Sequence, residues 1–513
     1  MKNTKKHKRN KDQPKKAFHH PELFSTKVDE NEAHLKKIFG SSKDIIFSSF
    51  PIHFHDQDDI KALLVAVDGL TDEDAIRDNV LKPLMNRPIN RPGEDLKRLK
   101  EEISVQTIET AADVEKSIYL ILKGHVLLLV DGYSHGLLLD LPAYENRSVE
   151  EPKAEQVVKG AHAGFIESST TNIALLRRRI PHPALQFESV KIGAYSKTEI
   201  TIGYVKDIAD PNLVKRVKQR LHKIKLDAIN SSGEIEQLIE DHPFAIFPTI
   251  GNTERPDSAA SLLMEGRVII LADGDPVSLY VPLLFLENMK NIEDYISRPY
   301  YSSFIRLLRF LAFFVSIILP ATYIAVVNFH KVMIPTDLIV PLIQERETVP
   351  FPLSVEILIM ILMFEVVREA GIRLPVQIGS ALSIVGALIL GEVSVTAGLV
   401  GAPTIVVVSL SYIATFVITP IADVTALLRI GLFIASSMFG AYGLFMALLG
   451  LLTHMVSLTS LGVPYMAPFG PFYFRDIKDT FIRLPLRWQK QRPKSIPTKK
   501  TTKITSLPKT GDK

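Results

Sequence analysis

The sequence contains no cysteine. Disulfides, thiolate catalysis and cysteine-ligated zinc are excluded together. The common catalytic signatures are missing too, with no H-E-x-x-H, no P-loop and no G-x-G-x-x-G. The basic residues at the start are not followed by an apolar run. No secretory signal peptide is expected, and the soluble part is expected to stay in the cytoplasm. Two motif matches fail on context. Gly132-Tyr133-Ser134-His135-Gly136 fits the G-x-S-x-G nucleophile elbow, but that elbow needs a helix after it and a second strand follows here. Leu507-Pro508-Lys509-Thr510-Gly511 fits a sorting pentapeptide, with no apolar span behind it. His53 and His55 alternate along a strand-like run and read as surface or core residues rather than metal ligands. The expectation is a protein that is not an enzyme and has no catalytic residues, cofactor or metal.

What is present is unevenly spread. Hydrophobic residues make up 46% of the 513, an ordinary share. Yet the chain up to about Pro299 is rich in charge, whereas Phe304–Phe474 is mostly apolar. The net charge of +4 is concentrated at the ends. The Met1–Lys16 run reads as disorder, without the interleaved aromatics of a nucleic-acid arm. The basic tail after Arg475 reads as a juxtamembrane anchor to the anionic face of a lipid bilayer.

Phe304–Val327 is long enough to cross a bilayer core, which takes about 20 residues. Arg306 and Arg309 at its start are placed to snorkel, and Pro320 inside predicts a kink. Further candidate spans are Leu353–Val367, Val376–Leu399, Thr404–Ile421 and Leu427–Leu452. A sixth apolar stretch, Met455–Phe474, holds three prolines and two glycines and reads as re-entrant or broken. Arg368, Arg373 and Arg429 lie between spans and suit the cytoplasmic side. With both termini inside, the crossings must be even in number, and the sequence leaves open which segment drops out.

Glu356, Glu365, Glu392 and Asp423 fall in or beside these spans, with Glu345 and Glu347 in a loop just outside. Charges at that depth usually face a bundle interior or a water path. Glu356 and Glu365 are nine residues apart, which puts them on opposite helix faces. Glu365 either pairs with Arg368 or Arg373 at the interface, or Glu356 or Glu392 lines a cation path. Small residues such as Gly386-Ala387, Gly391 and Gly398 suit close helix packing or an oligomer.

The soluble half alternates strand and helix signals. Ala62–Asp68 leads into a helix start at Thr71-Asp72-Glu73-Asp74, and Lys123–Leu141 reads as a hairpin around Asp131-Gly132. The pattern then repeats. Gly124-His125-Val126 and Asp131-Gly132 align with Gly266-Arg267-Val268 and Asp273-Gly274. Each hairpin follows a strand–helix unit, Ala62–Met85 and Glu199–Ile224. The expected fold is an α/β cytoplasmic domain made of two related subdomains, followed by an α-helical multi-pass membrane domain. The expected boundaries are a disordered arm at 1–40, subdomains at 41–150 and 151–297, a bundle of five or six apolar segments at 298–475, and a basic cytoplasmic tail at 476–513.

Several stretches, in order, resemble the A subunits of bacterial spore germinant receptors, the GerA family. They are Ile173–Ile180 (IALLRRRI), Ser196-Lys197-Thr198, Glu254-Arg255-Pro256-Asp257, Leu263–Gly266 with Arg267, Pro350-Phe351-Pro352, Phe364–Pro375, Ile384–Gly391, Gly462–Tyr465 and Arg475–Asp479. One departure is in Val158–Glu167, where the family segment usually begins Arg-Gly-Pro and Lys159 and Ala161 stand here. Arg and Lys differ wherever a forked contact is used. The resemblance implies a multi-pass protein of the spore inner membrane. It implies two partners, a transporter-like germinant-binding B subunit and a C-subunit lipoprotein. It also implies a homo-oligomer, a pentamer, acting as a ligand-gated cation channel in germination. On that reading Glu356 and Glu365 are pore-proximal, and Arg368, Glu369 and Arg373 hold the helix end by ion pairs. The competing readings are a secondary transporter, weakened by the lack of a repeat among the spans, and a non-conducting signalling scaffold.

Overall fold

The computed structural model describes residues 23–54, 57–86, 96–143, 152, 155, 157, 159–347, 349–373 and 389–503. The chain forms two compact units. The first comprises 1–239, 250–282 and 486–513, and the second 240–249 and 283–485.

The first unit holds two five-stranded antiparallel sheets. One is built from β1 (Ile45–Phe54), β2 (Gln57–Val67), β3 (Ile108–Ala111), β4 (His125–Val130) and β5 (Gly136–Asp140), in the order β1-β2-β4-β5-β3. The other is built from β6 (Leu185–Ile192), β7 (Thr198–Val205), β8 (Gly251–Thr253), β9 (Val268–Ala272) and β10 (Ser278–Val281), in the order β6-β7-β9-β10-β8. The two orders are the same, so the repeat read from the two hairpins extends to the whole topology. Central strands such as Leu63–Val67 and Val126–Val130 are apolar throughout because both faces are covered. Leu64, Ala66 and Leu128 pack into one core and Leu63, Val65 and Leu129 into another.

The local devices repeat as well. Helix α1 (Val28–Phe39) and helix α3 (Ser169–Arg179) open the two subdomains, α2 (Val114–Ile121) precedes the first hairpin, and α4 (Pro211–Lys223) and α5 (Pro256–Met264) lie between α3 and the second hairpin. The Asp131 carboxylate accepts from the Val28 N–H at 2.9 Å, and Asp273 accepts from Ser169 N–H at 3.1 Å. Each thereby satisfies a first-turn donor that the helix itself leaves free. The glycine after each Asp has a left-handed φ, 91° at Gly132 and 89° at Gly274, and its N–H donates to the Thr26 and Glu167 carbonyls respectively. Asn31 and Asn172 in turn clasp the backbones of Ser25 and Ile166.

The two subdomains meet through a buried ion pair. Arg177 of α3 and Asp44 are each 1% exposed and 2.8 Å apart. The guanidinium also donates to Ser42 and to the His182 and Leu185 carbonyls. Burial lowers the Arg177 pKa, and Asp44 opposes that shift.

Three expected boundaries move. Within the supposed arm, α1 buries Val28, Leu35 and Phe39, so order begins before residue 41; residues 1–22 lie outside the described residues. The middle stretch of the first unit stops at 282, short of the expected 297, and the unit takes up 486–513 as well. Part of the basic tail packs onto the second subdomain. Lys499 N–H donates to Ile208 O at 2.9 Å, Arg492 Nε donates to Met264 O at 2.7 Å, and Ile496 is 1% exposed. Carbonyl acceptors, which charge patterning does not reveal, take up the Arg492 guanidinium there.

The second unit is helical: α6 (Pro299–Ile324), α7 (Thr336–Glu347), α8 (Leu353–Arg373), α9 (Ala402–Phe416) and α10 (Ala422–Ser457). Among the described residues two stretches, Pro299–Phe329 and Thr419–Ser457, are long and apolar enough to cross a membrane, and Ala402–Phe416 is apolar but shorter. The helix α8 is 21 residues long but carries five charged side chains. Most of Val376–Leu399 lies outside the described residues. Helix α10 breaks at Gly440 (φ 62°, ψ −143°). A Cβ there would stand 2.8 Å from Phe329 Cγ. The Met455–Phe474 stretch leaves α10 at Ser457 and contains a two-residue β-hairpin and turns, with Tyr465 fully buried. Glu345 and Glu347, expected in a loop, sit on α7.

Candidate functional site

A line of polar side chains runs through the apolar helices of the second unit. It starts in the first turn of α8. The Glu356 side chain is buried, and its Oε1 accepts from the Gly401 N–H at 2.8 Å. Gly401 is the residue before α9, so its N–H is a donor that α9 does not use. The second oxygen, Oε2, is buried without a hydrogen-bond partner among the described residues. A buried carboxylate with an oxygen left open is costly.

Glu365 sits farther along α8 and is fully engaged. It accepts from the Tyr412 hydroxyl at 2.8 Å and forms an ion pair with Arg368, which also reaches Asp423 at 3.2 Å. Arg373 pairs with Glu369 one turn back at 2.6 Å. Glu392 is exposed. Tyr412 of α9 is the hub. Its ring stacks on Phe364 at 5.0 Å and lies 3.9 Å beneath the Arg429 guanidinium of α10, an arrangement stabilised by cation–π attraction. Arg429 is 1% exposed and donates to Ser316 O of α6 at 2.8 Å and to the Thr415 hydroxyl at 2.5 Å. Four helices are thus joined through α6, α8, α9 and α10.

This geometry revises the positions read from sequence. The two glutamates were expected on opposite faces of α8, yet both reach α9, one at its first residues and one at Tyr412. The long Tyr412 side chain reaches across to Glu365, and Glu356 bonds to backbone at the α9 start. Arg429 is inside α10 rather than between spans. Arg306 does not snorkel: it is fully buried, with Asp294 and Asp479 each at 2.9 Å, while Arg309 shares Asp294 at 2.9 Å. Burial works to raise the Asp479 pKa, but Lys290 and Arg306 outweigh it and hold the carboxyl below the usual carboxylate range. Among polar residues of the spans only the charged ones stand out in the sequence, and Tyr412, Thr415 and Ser316 carry no charge to mark them. A lone tyrosine in the apolar run of α9 was the one available signal.

The signature residues of the α/β unit also bind one another. Arg255 donates to the Glu155 and Ala161 carbonyls at 3.2 and 2.8 Å and pairs with Asp257 at 2.7 Å. The segment containing Lys159 and Ala161 is therefore held at Ala161 through its backbone, which the substituted side chain does not disturb. Burial raises the Glu155 pKa, although Thr253 and the Glu254 N–H both donate to its carboxylate.

Comparison with known proteins places these features in one family. Residues 33–495 match the family described as Bacillus/Clostridium GerA spore germination protein. Spore germination protein KA of Bacillus subtilis is 40% identical over 93% of this chain and 88% of its own length. Spore germination protein GerLA of Bacillus cereus is 36% identical over 86% and 90% respectively. The crystal structure of the N-terminal domain of the A subunit of the Bacillus megaterium spore germinant receptor GerK3 is 34% identical. That match covers 52% of this chain and 99% of that one, at a TM-score of 0.41. With a duplicated α/β unit and a second unit whose helices are tied together by buried polar contacts, the chain belongs to the GerA family of spore germination proteins, as one of its A subunits.

Proposed function

We propose that this A subunit works within a nutrient germinant receptor as one member of an oligomeric, pentameric, ligand-gated cation channel. In this reading it is a multi-pass protein of the spore inner membrane with its α/β unit in the cytoplasm. It acts beside a germinant-binding B subunit and a C-subunit lipoprotein, and catalyses no reaction. Germinant binding to the partner biases a closed-to-open equilibrium of the helices. The observation that carries the reading is Glu356, a buried carboxylate inside an apolar helical layer with one oxygen unpartnered among the described residues. Such a group favours cation passage over a purely structural role. Glu365 has a different part. With Tyr412 and Arg368 it ties α8 to α9, so it sets helix position rather than ion affinity.

The test is cation flux from the reconstituted receptor. Glu356→Ala is expected to reduce cation conductance and selectivity together. Glu365→Ala is expected to shift the opening equilibrium while the selectivity of open channels stays unchanged. Unaltered conductance and selectivity in Glu356→Ala would remove Glu356 from the pore, and an unshifted opening equilibrium in Glu365→Ala would remove Glu365 from helix positioning.

A further inference from the structure

Residues 240–249 form a loop of the helical unit, and its side chains sort into two sets. Phe247 is buried, with its ring centroid 5.9 Å from Phe285 and 6.2 Å from Tyr465. Phe244 is 99% exposed, and Ile246 is 43% exposed. The loop is firmly fastened. Asp241 accepts from the Thr459 hydroxyl at 2.6 Å and from the Gly462 N–H at 2.8 Å, and the Ser460 hydroxyl donates to Thr249 O at 2.5 Å. Those partners matter for its location. Thr459 follows the end of α10 at Ser457 by two residues, and Leu449, Leu452 and Val456 on the last turns of α10 are all exposed. The loop is pinned to residues two and five positions beyond the helix end, where the exposed apolar flank stops.

We propose that Phe244 and Ile246 form a wedge that inserts into the boundary between headgroups and acyl chains of the bilayer, on the side where α10 ends. The proposal rests on α10 being a membrane span. An exposed aromatic ring at that level is favoured, because the interface accommodates an apolar body close to polar backbone. The exposed flank of α10 stops beside the residues that fasten the loop, and in this reading one lipid surface covers both. Inserted in this way, the wedge fixes the depth of the 240–249 loop and of the hairpin bonded to it.

A depth measurement tests the wedge. The chain has one tryptophan, Trp488, which is 69% exposed, so Trp488→Phe provides a silent background. Phe244→Trp is the reporter in that background, with Ile246→Trp as a second reporter should the first disturb folding. Phe445→Trp is the control, at a 64% exposed position on α10. The full chain is reconstituted into phosphatidylcholine vesicles carrying bromine at shallow or deep acyl positions. The wedge predicts blue-shifted emission from the loop reporter, quenched more by shallow than by deep bromines, and the reverse order for the α10 control. A quenched control with a red-emitting, unquenched loop reporter would overturn the wedge and leave α10 as a span. A blue-shifted but unquenched loop reporter would also overturn it, pointing to a protein surface as the occupant. If neither reporter is quenched, the span reading fails and the wedge fails with it.

Discussion

Arg177, Arg306 and Arg429 are all but fully buried, and each is buried differently. Arg177 has a carboxylate, a hydroxyl and two carbonyls around it. Arg306 has two carboxylates. Arg429 has a carbonyl, a hydroxyl and an aromatic face. Where the set holds a carboxylate, as for Arg177 and Arg306, removing one member leaves the other charge unpaired in a poor solvent. Arg177→Ala is accordingly expected to destabilise the α/β unit by about 3–5 kcal/mol, read as a lowered unfolding midpoint. The double replacement Arg177→Met with Asp44→Leu is expected to cost less, because no orphan charge remains. Equal losses in the single and double variants would show that the pair matters through packing alone.

At the scale of elements, α10 is the informative case. Its composition reads as one long apolar helix, but Gly440 adopts a conformation open to few other residues and Phe329 packs where a side chain would go. Gly440→Ala is expected to cost about 1–3 kcal/mol from backbone strain, with further loss from the clash with Phe329. Adding Phe329→Ala is expected to relieve only the clash, so thermal unfolding of the double variant should recover part of the loss. Full recovery would mean that the left-handed φ carries no strain.

At the scale of the whole molecule, duplication governs the α/β unit. Two Asp-Gly turns perform one task in two places, each closing the start of its subdomain's first helix. Asp131→Ala and Asp273→Ala are each expected to cost about 1 kcal/mol, the usual size of a lost helix-start contact. The two effects should add, since the sites share no partner. Hydrogen exchange checks this directly: each variant should speed exchange in the first turn of its own helix, α1 or α3, and leave the other unchanged.

The repeat, the strand–helix order, the break after α10 and the family were all legible in the sequence. Each is written in short-range terms: an Asp-Gly turn, a run of alternating or continuous apolar residues, prolines in an apolar stretch, or a string of motifs. The polar network was legible only in part. Glu365 with Arg368 and Glu369 with Arg373 are a turn apart on one helix, and spacing suffices to pair them. Arg177 and Asp44 are separated by 133 residues, and Arg306 and Asp479 by 173. No local pattern announces such partners. Whether a charge is solvated or buried depends on what the fold brings within a few ångströms, in surroundings where water no longer screens it. The sequence by itself determined the repeated hairpins, the strand–helix units before them and the apolar runs of the helical unit, because backbone preference and hydrophobic period act over a few residues. Tertiary structure alone decided which charges lie inside and what they hold together, because that energy depends on distance in space and not along the chain.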